Sequence, residues 1–215
     1  MGKVKGTRRY ESPEREAQAR RTQEAVIEAA VRQFLSMGYA GTTIAAIAEE
    51  AGVSVATVYK TFRSKPGLVR AIYDRGLKGR GPVTAYQRSE EMRMRERDPR
   101  TLMRSWGALG AEVGTEVTPI LLLLRAAAGT DPDAAALLEE IREQRLKRMR
   151  YLARFLEQRG YLREGVSVAQ AADVLWACTS AELYELFVIQ RRWSIPRFGR
   201  FLADFMITSL LPESG

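Results

Sequence analysis

The stretch that decides the fold runs from Thr42 to Lys65 and reads TTIAAIAEEAGVSVATVYKTFRSK. Its first half predicts a short helix after Thr43, because threonine is a good N-cap and apolar residues follow at spacings of three and four. Gly52-Val53-Ser54 predicts a tight turn, and Ser54 caps a second helix. Two short helices joined in this way form a helix-turn-helix, which leaves one face of the second helix free.

The free face of the second helix carries small, hydroxylated, aromatic and basic side chains, namely Val55, Ala56, Thr57, Tyr59 and Lys60. An α-helix fits the major groove of B-DNA, where such side chains meet base edges, thymine methyl groups and phosphates. The motif therefore predicts a helix that reads double-stranded DNA.

The positive charge of the chain is concentrated around this motif. The net charge is +8, from 34 Lys and Arg against 26 Asp and Glu. Residues 1–80 hold 15 of these cations against 8 anions, whereas residues 81–215 hold 19 against 18. A basic segment joined to a near-neutral one is typical of a polyanion-binding unit fused to another domain, although a basic surface can also serve solubility alone. Glycine and proline concentrate at 79–82, so we expect domains at 1–80, with an N-terminal arm, and at 81–215.

Helical periodicity and helix caps fill the rest of the chain, and no alternating β-branched run interrupts them. We therefore predict an all-α fold. The first helix is expected from Pro13 to Met37, with Gly38 ending it. Further helices are expected near 64–77, 83–97, 99–113, 115–128, 131–159, 167–190 and 195–211.

The composition excludes several classes of function. The 215 residues contain no histidine and a single cysteine, Cys178. Histidine-based triads, histidine or multi-cysteine metal sites and an internal disulfide are thereby excluded, so we expect no enzyme, no metal and no cofactor. No unbroken apolar run is longer than Ile120 to Leu124, which is too short to cross a bilayer, and the basic N-terminus lacks the apolar core of a secretory signal. We expect a cytoplasmic protein without a membrane partner.

Between Val26 and Tyr73 the sequence resembles the TetR family of transcriptional regulators. The residues that carry the resemblance keep fixed spacings: Ala29, Ala30, Phe34, Gly38, Tyr39, Thr42, Thr43, Ile47, Ala48, Ala51, Gly52, Val53, Ser54, Thr57, Val58, Tyr59, Phe62, Ser64, Lys65 and Leu68. The resemblance implies an N-terminal three-helix DNA-binding domain and a C-terminal helical bundle that dimerises and encloses a ligand pocket. The implied function is that of a ligand-responsive repressor that binds a palindromic operator as a homodimer.

The resemblance also implies roles for individual residues. Thr43 and Ser54 would cap the two helices of the motif and Thr43 would contact a phosphate, while Tyr59 and Lys65 would hold the DNA backbone. The residues that would face the bases are Val55, Ala56 and Thr57, with Lys60 as a further DNA-binding candidate. Ordinary structural roles are the alternative: the hydroxyls can serve as helix caps only, and Tyr59 can pack against the first helix.

The helix predicted at 167–190 is apolar on two opposite faces. One line comprises Ala169, Ala172, Trp176, Thr179, Leu183, Phe187 and Gln190, and the other comprises Val168, Ala171, Leu175, Cys178 and Leu186. A helix that is apolar on two faces must bury both. This favours a homodimer in which the helices predicted at 131–159 and 167–190 form a four-helix interface, while a central core helix of a monomer is the alternative.

A small-molecule effector of unknown identity is expected in the second domain. The candidate lining residues are Met103, Trp106, Leu109, Leu121, Leu124, Arg125, Tyr151 and Phe155, although aromatic residues and methionine also fill ordinary cores. Arg125 is expected to reach solvent or pair with a carboxylate, or else to select an anionic effector. The charge run from Glu139 to Arg150 is interpreted as a solvated helix face. The rival function is that of a helical protein that binds a small molecule without operator-specific DNA binding.

Overall fold

The computed structural model describes residues 13–79 and 83–213, so the predicted N-terminal arm and most of the predicted domain boundary lie outside the described residues. The described residues form helices and no strand, which confirms the all-α prediction. The helices are α1 (Pro13–Gly41), α2 (Ile44–Glu50), α3 (Val55–Phe62), α4 (Lys65–Lys78), α5 (Ala85–Arg95), α6 (Pro99–Ala127), α7 (Pro132–Gln158), α8 (Val168–Cys178), α9 (Ala181–Tyr184) and α10 (Ile195–Leu210). A π-helical segment, Glu185–Gln190, directly follows α9.

The chain divides into two compact units, Met1–Leu68 and Val69–Gly215. The division falls inside α4, upstream of the glycine- and proline-rich stretch at 79–82. We call the two parts the N-terminal and the C-terminal unit.

The N-terminal unit is built around a small core to which each of its first three helices contributes. Phe34 of α1, Ile47 of α2 and Val58 of α3 are almost completely buried. Gly38 interrupts the helical backbone of α1 with φ +71°, a conformation that glycine adopts without strain, so the regular helix from Pro13 breaks at the predicted residue and a short turn to Gly41 follows. The Thr42 hydroxyl donates to the Gly38 carbonyl at 2.7 Å, which satisfies a backbone acceptor near the helix end.

One helix, α6, replaces the two that were predicted at 99–113 and 115–128. The prediction of a break near Gly114 was wrong, because a glycine is required at this position by the close packing of another side chain and does not end the helix. A Cβ atom at Gly114 would lie 2.7 Å from the Tyr184 ring, so the glycine admits the ring while its backbone stays helical. The Thr115 hydroxyl donates to the Ala111 carbonyl at 3.2 Å and so does not cap a new helix.

By length and composition α6 could cross a membrane, since its most apolar 18-residue window has a mean hydropathy of 1.4. However, 50% of that window is buried inside the protein. Gly107 of α6 and Gly199 of α10 bring these two helices into close backbone contact, because a Cβ atom at Gly107 would lie 2.5 Å from the Gly199 carbonyl oxygen. The helix therefore occupies the position of a core helix.

The single helix predicted at 167–190 is divided into α8, α9 and the π-helical segment. Two adjacent hydroxyl residues cause the break. Thr179 donates to the Trp176 carbonyl at 3.0 Å and closes α8, and Ser180 accepts from the Leu183 N–H at 3.3 Å and opens α9. Because the helix changes course here, the two apolar lines that were predicted along it do not continue as two straight faces.

Candidate functional site

The predicted helix-turn-helix is present in the N-terminal unit as α2, a turn and α3. Gly52 has φ +66°, and the Val53 N–H donates to the Ala48 carbonyl at 2.9 Å. The left-handed conformation of Gly52 ends α2 and turns the chain sharply, so that α3 can begin in a different direction.

Two hydroxyl groups cap the helices of the motif as the sequence predicts. The Thr43 Oγ1 accepts from the Ala46 N–H at 3.1 Å, and the Ser54 Oγ accepts from the Thr57 N–H at 3.1 Å. Both residues are exposed at the surface. Their capping role is thus an observed contact, and their role toward DNA stays a prediction.

One face of α3 is buried and the other is open. Val58 and Phe62 lie in the core, whereas the side chains of Val55 and Tyr59 are 41% and 50% exposed. Ala56 and Lys60 are exposed on the same side. The structure therefore brings four of the predicted DNA-binding residues together on one accessible surface, which we call the α3 face.

Thr57 and Lys65 are partly engaged within the protein. Thr57 is half-buried, and its Oγ1 lies 2.8 Å from the Ser54 Oγ. The Lys65 ammonium donates to the Tyr39 carbonyl at 2.7 Å and lies 4.7 Å from the centre of the Tyr39 ring. An ammonium group has three N–H donors, so this bond leaves donors for a second acceptor. No local pattern in the sequence indicates the contact with Tyr39.

A carboxylate near the motif is held in an ion pair. Glu50, at the end of α2, accepts from the Arg32 Nε at 2.5 Å and from the Gln33 Nε2 at 2.6 Å. These hydrogen bonds hold the pKa of Glu50 below its ordinary value. Lys60 of α3 and Arg63, the residue that follows α3, are exposed cations.

The C-terminal unit contains a partly open cavity of about 120 Å³. Most of its wall is apolar, with Leu109, Val113, Val117, Leu121, Leu175 and Phe198 among the lining residues. Polar groups also reach the wall, including the side chains of Tyr73, Tyr86, Ser89, Trp106, Arg145 and Arg148. Burial raises the pKa of the Tyr73 hydroxyl. An apolar cavity with a few convergent polar groups is typical of a small-molecule site.

Only some of the residues that were predicted to bind a ligand line this cavity. Trp106, Leu109 and Leu121 line the cavity. Met103, Leu124 and Phe155 are buried in the core without lining it. Their roles toward a ligand stay predictions.

Two other predicted ligand residues lie away from the cavity. Tyr151 is 41% exposed, and its hydroxyl donates to the Glu90 carboxylate at 3.1 Å. Arg125 pairs with Glu185 at 2.7 Å and with Glu182 at 3.3 Å, and these carboxylates raise its pKa. Of the roles expected for Arg125, the structure thus shows pairing with carboxylates.

Sequence reasoning missed Arg145 and Arg148, which the structure places at the cavity wall. Interpreting the whole charge run of α7 as a solvated face was wrong for these two residues. A signal was present, because Ile141, Arg145, Arg148, Met149 and Leu152 recur at helical spacing on one side of the helix. The buried residues of this line show that the arginines lie on the inward stripe.

The sequence comparisons match the N-terminal unit. Residues 26–72 match the family described as "Bacterial regulatory proteins, tetR family". The uncharacterised HTH-type transcriptional regulator YvkB of Bacillus subtilis is 38% identical over 64 residues, which cover 30% of this chain and 34% of that protein. The HTH-type transcriptional regulator TtgR of Pseudomonas putida is 46% identical over 57 residues, 26% of this chain and 27% of TtgR. The match thus spans about a third or less of these relatives.

The structural comparisons extend over both units and concern the fold. SmeT in complex with triclosan has a TM-score of 0.69 at 22% identity, and the match covers 90% of this chain and 93% of SmeT. NalD, the secondary repressor of the MexAB-OprM multidrug efflux pump in Pseudomonas aeruginosa, has a TM-score of 0.68 at 19% identity, and the match covers 92% of this chain and 100% of NalD. The helical C-terminal unit therefore shares its fold with these proteins.

Proposed function

We propose that this chain is a transcriptional regulator of the TetR family that binds operator DNA through α3, because residues 26–72 match the family of bacterial regulatory proteins of that name. The observation that carries the proposal is the α3 face. It presents Val55, Ala56, Tyr59 and Lys60 to solvent on a helix whose start is fixed by Ser54. The exposed Val55 and Ala56 side chains lie outside the core, and thymine methyl groups and base edges in the major groove match such side chains.

The contacts to DNA divide into two classes. Val55, Ala56 and Thr57 lie at the start of α3, where a recognition helix contacts base edges. Thr43, Tyr59, Lys60 and Lys65 carry hydroxyl or ammonium donors, which suit phosphate oxygens and fix the register on the duplex. The first class sets the sequence that is read, and the second contributes affinity for any duplex.

We further propose that the chain acts as a homodimer through the end of its C-terminal unit. Leu186, Ile189 and Phe205 are 45%, 49% and 41% exposed, and the Phe205 ring stacks on that of Phe201 at 6.3 Å. We call these four residues the apolar end patch. Ala171, Leu175 and Cys178 of α8, which belong to one of the two apolar lines predicted on this helix, are buried within the unit, so this line packs on the unit's own core.

The cavity supports a response to a small-molecule effector. An effector that binds one conformation more tightly than the DNA-bound one weakens operator binding by linkage. NalD is described as a repressor, and the structure of SmeT was determined in complex with triclosan. By analogy we propose that this chain is a ligand-released repressor, which would act in the cytoplasm where its operator lies.

Fluorescence anisotropy with the DNA upstream of its own gene tests the proposal, with a shuffled duplex as control. If a dimer contacts about six to ten phosphates, log K falls against log salt with a slope of roughly −5 to −9. A slope near zero, or equal affinity for the upstream and the shuffled duplex at all salt concentrations, would contradict the proposed function.

A further inference from the structure

The cavity of the C-terminal unit carries more positive charge than its wall neutralises. Arg145 and Arg148 line it, and its wall contains no aspartate or glutamate among the described residues. Arg148 pairs with Glu90, whose Oε1 lies 2.5 Å from its guanidinium. None of the ion pairs found among the described residues includes Arg145. Among the described residues Arg145 therefore has no carboxylate within ion-pair distance, and Glu182 acts on its charge only from farther away.

The cavity wall also contains hydrogen-bond donors that lack an acceptor. The Nε atoms of Arg145 and Arg148 and the indole Nε1 of Trp106 are buried and have no partner in the described part of the chain. The Arg145 guanidinium instead lies 5.0 Å from the Trp176 ring. Burial lowers the pKa of Arg145, yet an arginine stays charged at neutral pH. Unsatisfied buried donors cost free energy, so a site of this kind is completed by an acceptor.

We propose that the effector of this protein is a small aromatic or alicyclic carboxylate whose ring occupies the apolar part of the cavity and whose carboxylate pairs with Arg145. The inference rests on the proposed function in that it takes the cavity for the effector site.

The size and chemistry of the cavity fit such a molecule. Its volume of about 120 Å³ is close to that of an engineered cavity of about 150 Å³ that holds benzene. It therefore accommodates a single ring with one small polar group. A carboxylate offers two acceptor oxygens to a planar guanidinium, and its single charge equals the unpaired charge of Arg145. A phosphate would bring a larger charge than this wall can balance.

Isothermal titration of the full chain at neutral pH with benzoate and with benzamide tests the proposal. The two probes have nearly the same shape and differ in charge. We expect benzoate to bind at least about tenfold more tightly than benzamide, as is usual for a hydrogen bond to a charged group. Arg145→Met should reduce this ratio to about one by weakening benzoate binding more than benzamide binding, and Arg145→Lys should retain part of the ratio. Arg142→Met is the matched control, because Arg142 lies one turn away, does not line the cavity, and should keep the ratio.

Thermal unfolding of the same variants excludes a trivial loss of structure. Replacing a desolvated, unpaired charge with an apolar side chain of similar length should leave the melting temperature unchanged or raise it. A large fall would assign Arg145 a structural role and overturn the proposal. Equal binding of benzoate and benzamide to the unmodified chain would overturn it as well. Operator binding by the same preparation separates the two ideas, since loss of the carboxylate preference with operator binding intact refutes only this inference.

Discussion

Tyr59 is half exposed on the α3 face, and no hydrogen bond to its hydroxyl is found within residues 13–79 and 83–213. Tyr59→Phe should therefore leave the melting temperature unchanged and weaken binding to every duplex by about 0.5–1.5 kcal/mol, the usual contribution of one hydrogen bond. Parallel titrations of operator and shuffled duplexes measure this. A change of sequence preference instead would place Tyr59 at the bases.

Val55 is proposed to contact a base edge rather than the DNA backbone. Val55→Ala removes two methyl groups from an exposed position, so stability should be nearly unaffected. At one base pair of each half-site, the difference in binding free energy between the preferred base and the other bases should fall by about 1–3 kcal/mol. Competition among operators with single base changes gives the readout, and a uniform loss across all of them would contradict the assignment.

Cys178 is buried, and burial raises the pKa of its thiol from 9.0 to about 12. Because the thiolate is the reactive form, a thiol reagent at pH 8 should modify the native protein far more slowly than the unfolded protein. The pH dependence has a definite sign. Below pH 9 the thiol is protonated in both states, whereas between about 9 and 12 only the unfolded chain loses the proton, so this thiol makes stability fall as the pH rises. Rapid native labelling would contradict the buried assignment.

The sequence predicts where a helix begins more reliably than whether that helix continues without a break. The caps at Thr43, Ser54 and Ser167 use side chains that bond to the backbone a few residues away, so local sequence suffices to find them. The continuity of α6 at Gly114 depends on the ring of Tyr184, which is distant in the chain and belongs to another helix. Local patterns carry no information about such a contact.

The inward position of Arg145 and Arg148 illustrates the same limit at the candidate site. Charged residues are rarely buried, so a charge run favours a solvated face on composition alone. The α3 face could be predicted because its residues are close together along the sequence. The cavity could not, because its wall combines residues from α4 to α10.

The contact between α6 and α10 depends on glycine. Gly107→Ala would place a methyl group 2.5 Å from the Gly199 carbonyl oxygen, so the helices must separate. We expect a loss of about 1–3 kcal/mol in the free energy of unfolding, because overpacking outweighs the gain in helix propensity. Chemical denaturation measures it.

Gly110→Ala is the matched control on the same helix. Its Cβ atom would meet only the Leu202 Cδ1 at 3.6 Å, an ordinary contact. This variant should be neutral or more stable by up to about 1 kcal/mol. Equal effects of the two substitutions would refute the proposed close contact.

In the molecule as a whole, the proposed homodimer would link DNA recognition to self-association. Phe205→Glu places a charge in the apolar end patch and should yield a monomer in sedimentation, with loss of most operator affinity because each monomer reaches one half-site. Met94→Glu is the control, since Met94 is 73% exposed outside that patch. If the Phe205→Glu protein is still a dimer, the apolar end patch is not the dimer interface.

If two copies of α3 read DNA together, the preferred duplex must itself be two-fold symmetric. Selection from a random duplex library with the full chain measures this, because the library offers every short sequence and favours none. The recovered duplexes should share two inverted half-sites whose centres are about one helical turn, or a multiple of it, apart, and Val55→Ala should change the preferred base within each half-site. Recovery of duplexes without a shared symmetric sequence would contradict recognition by a pair of α3 helices.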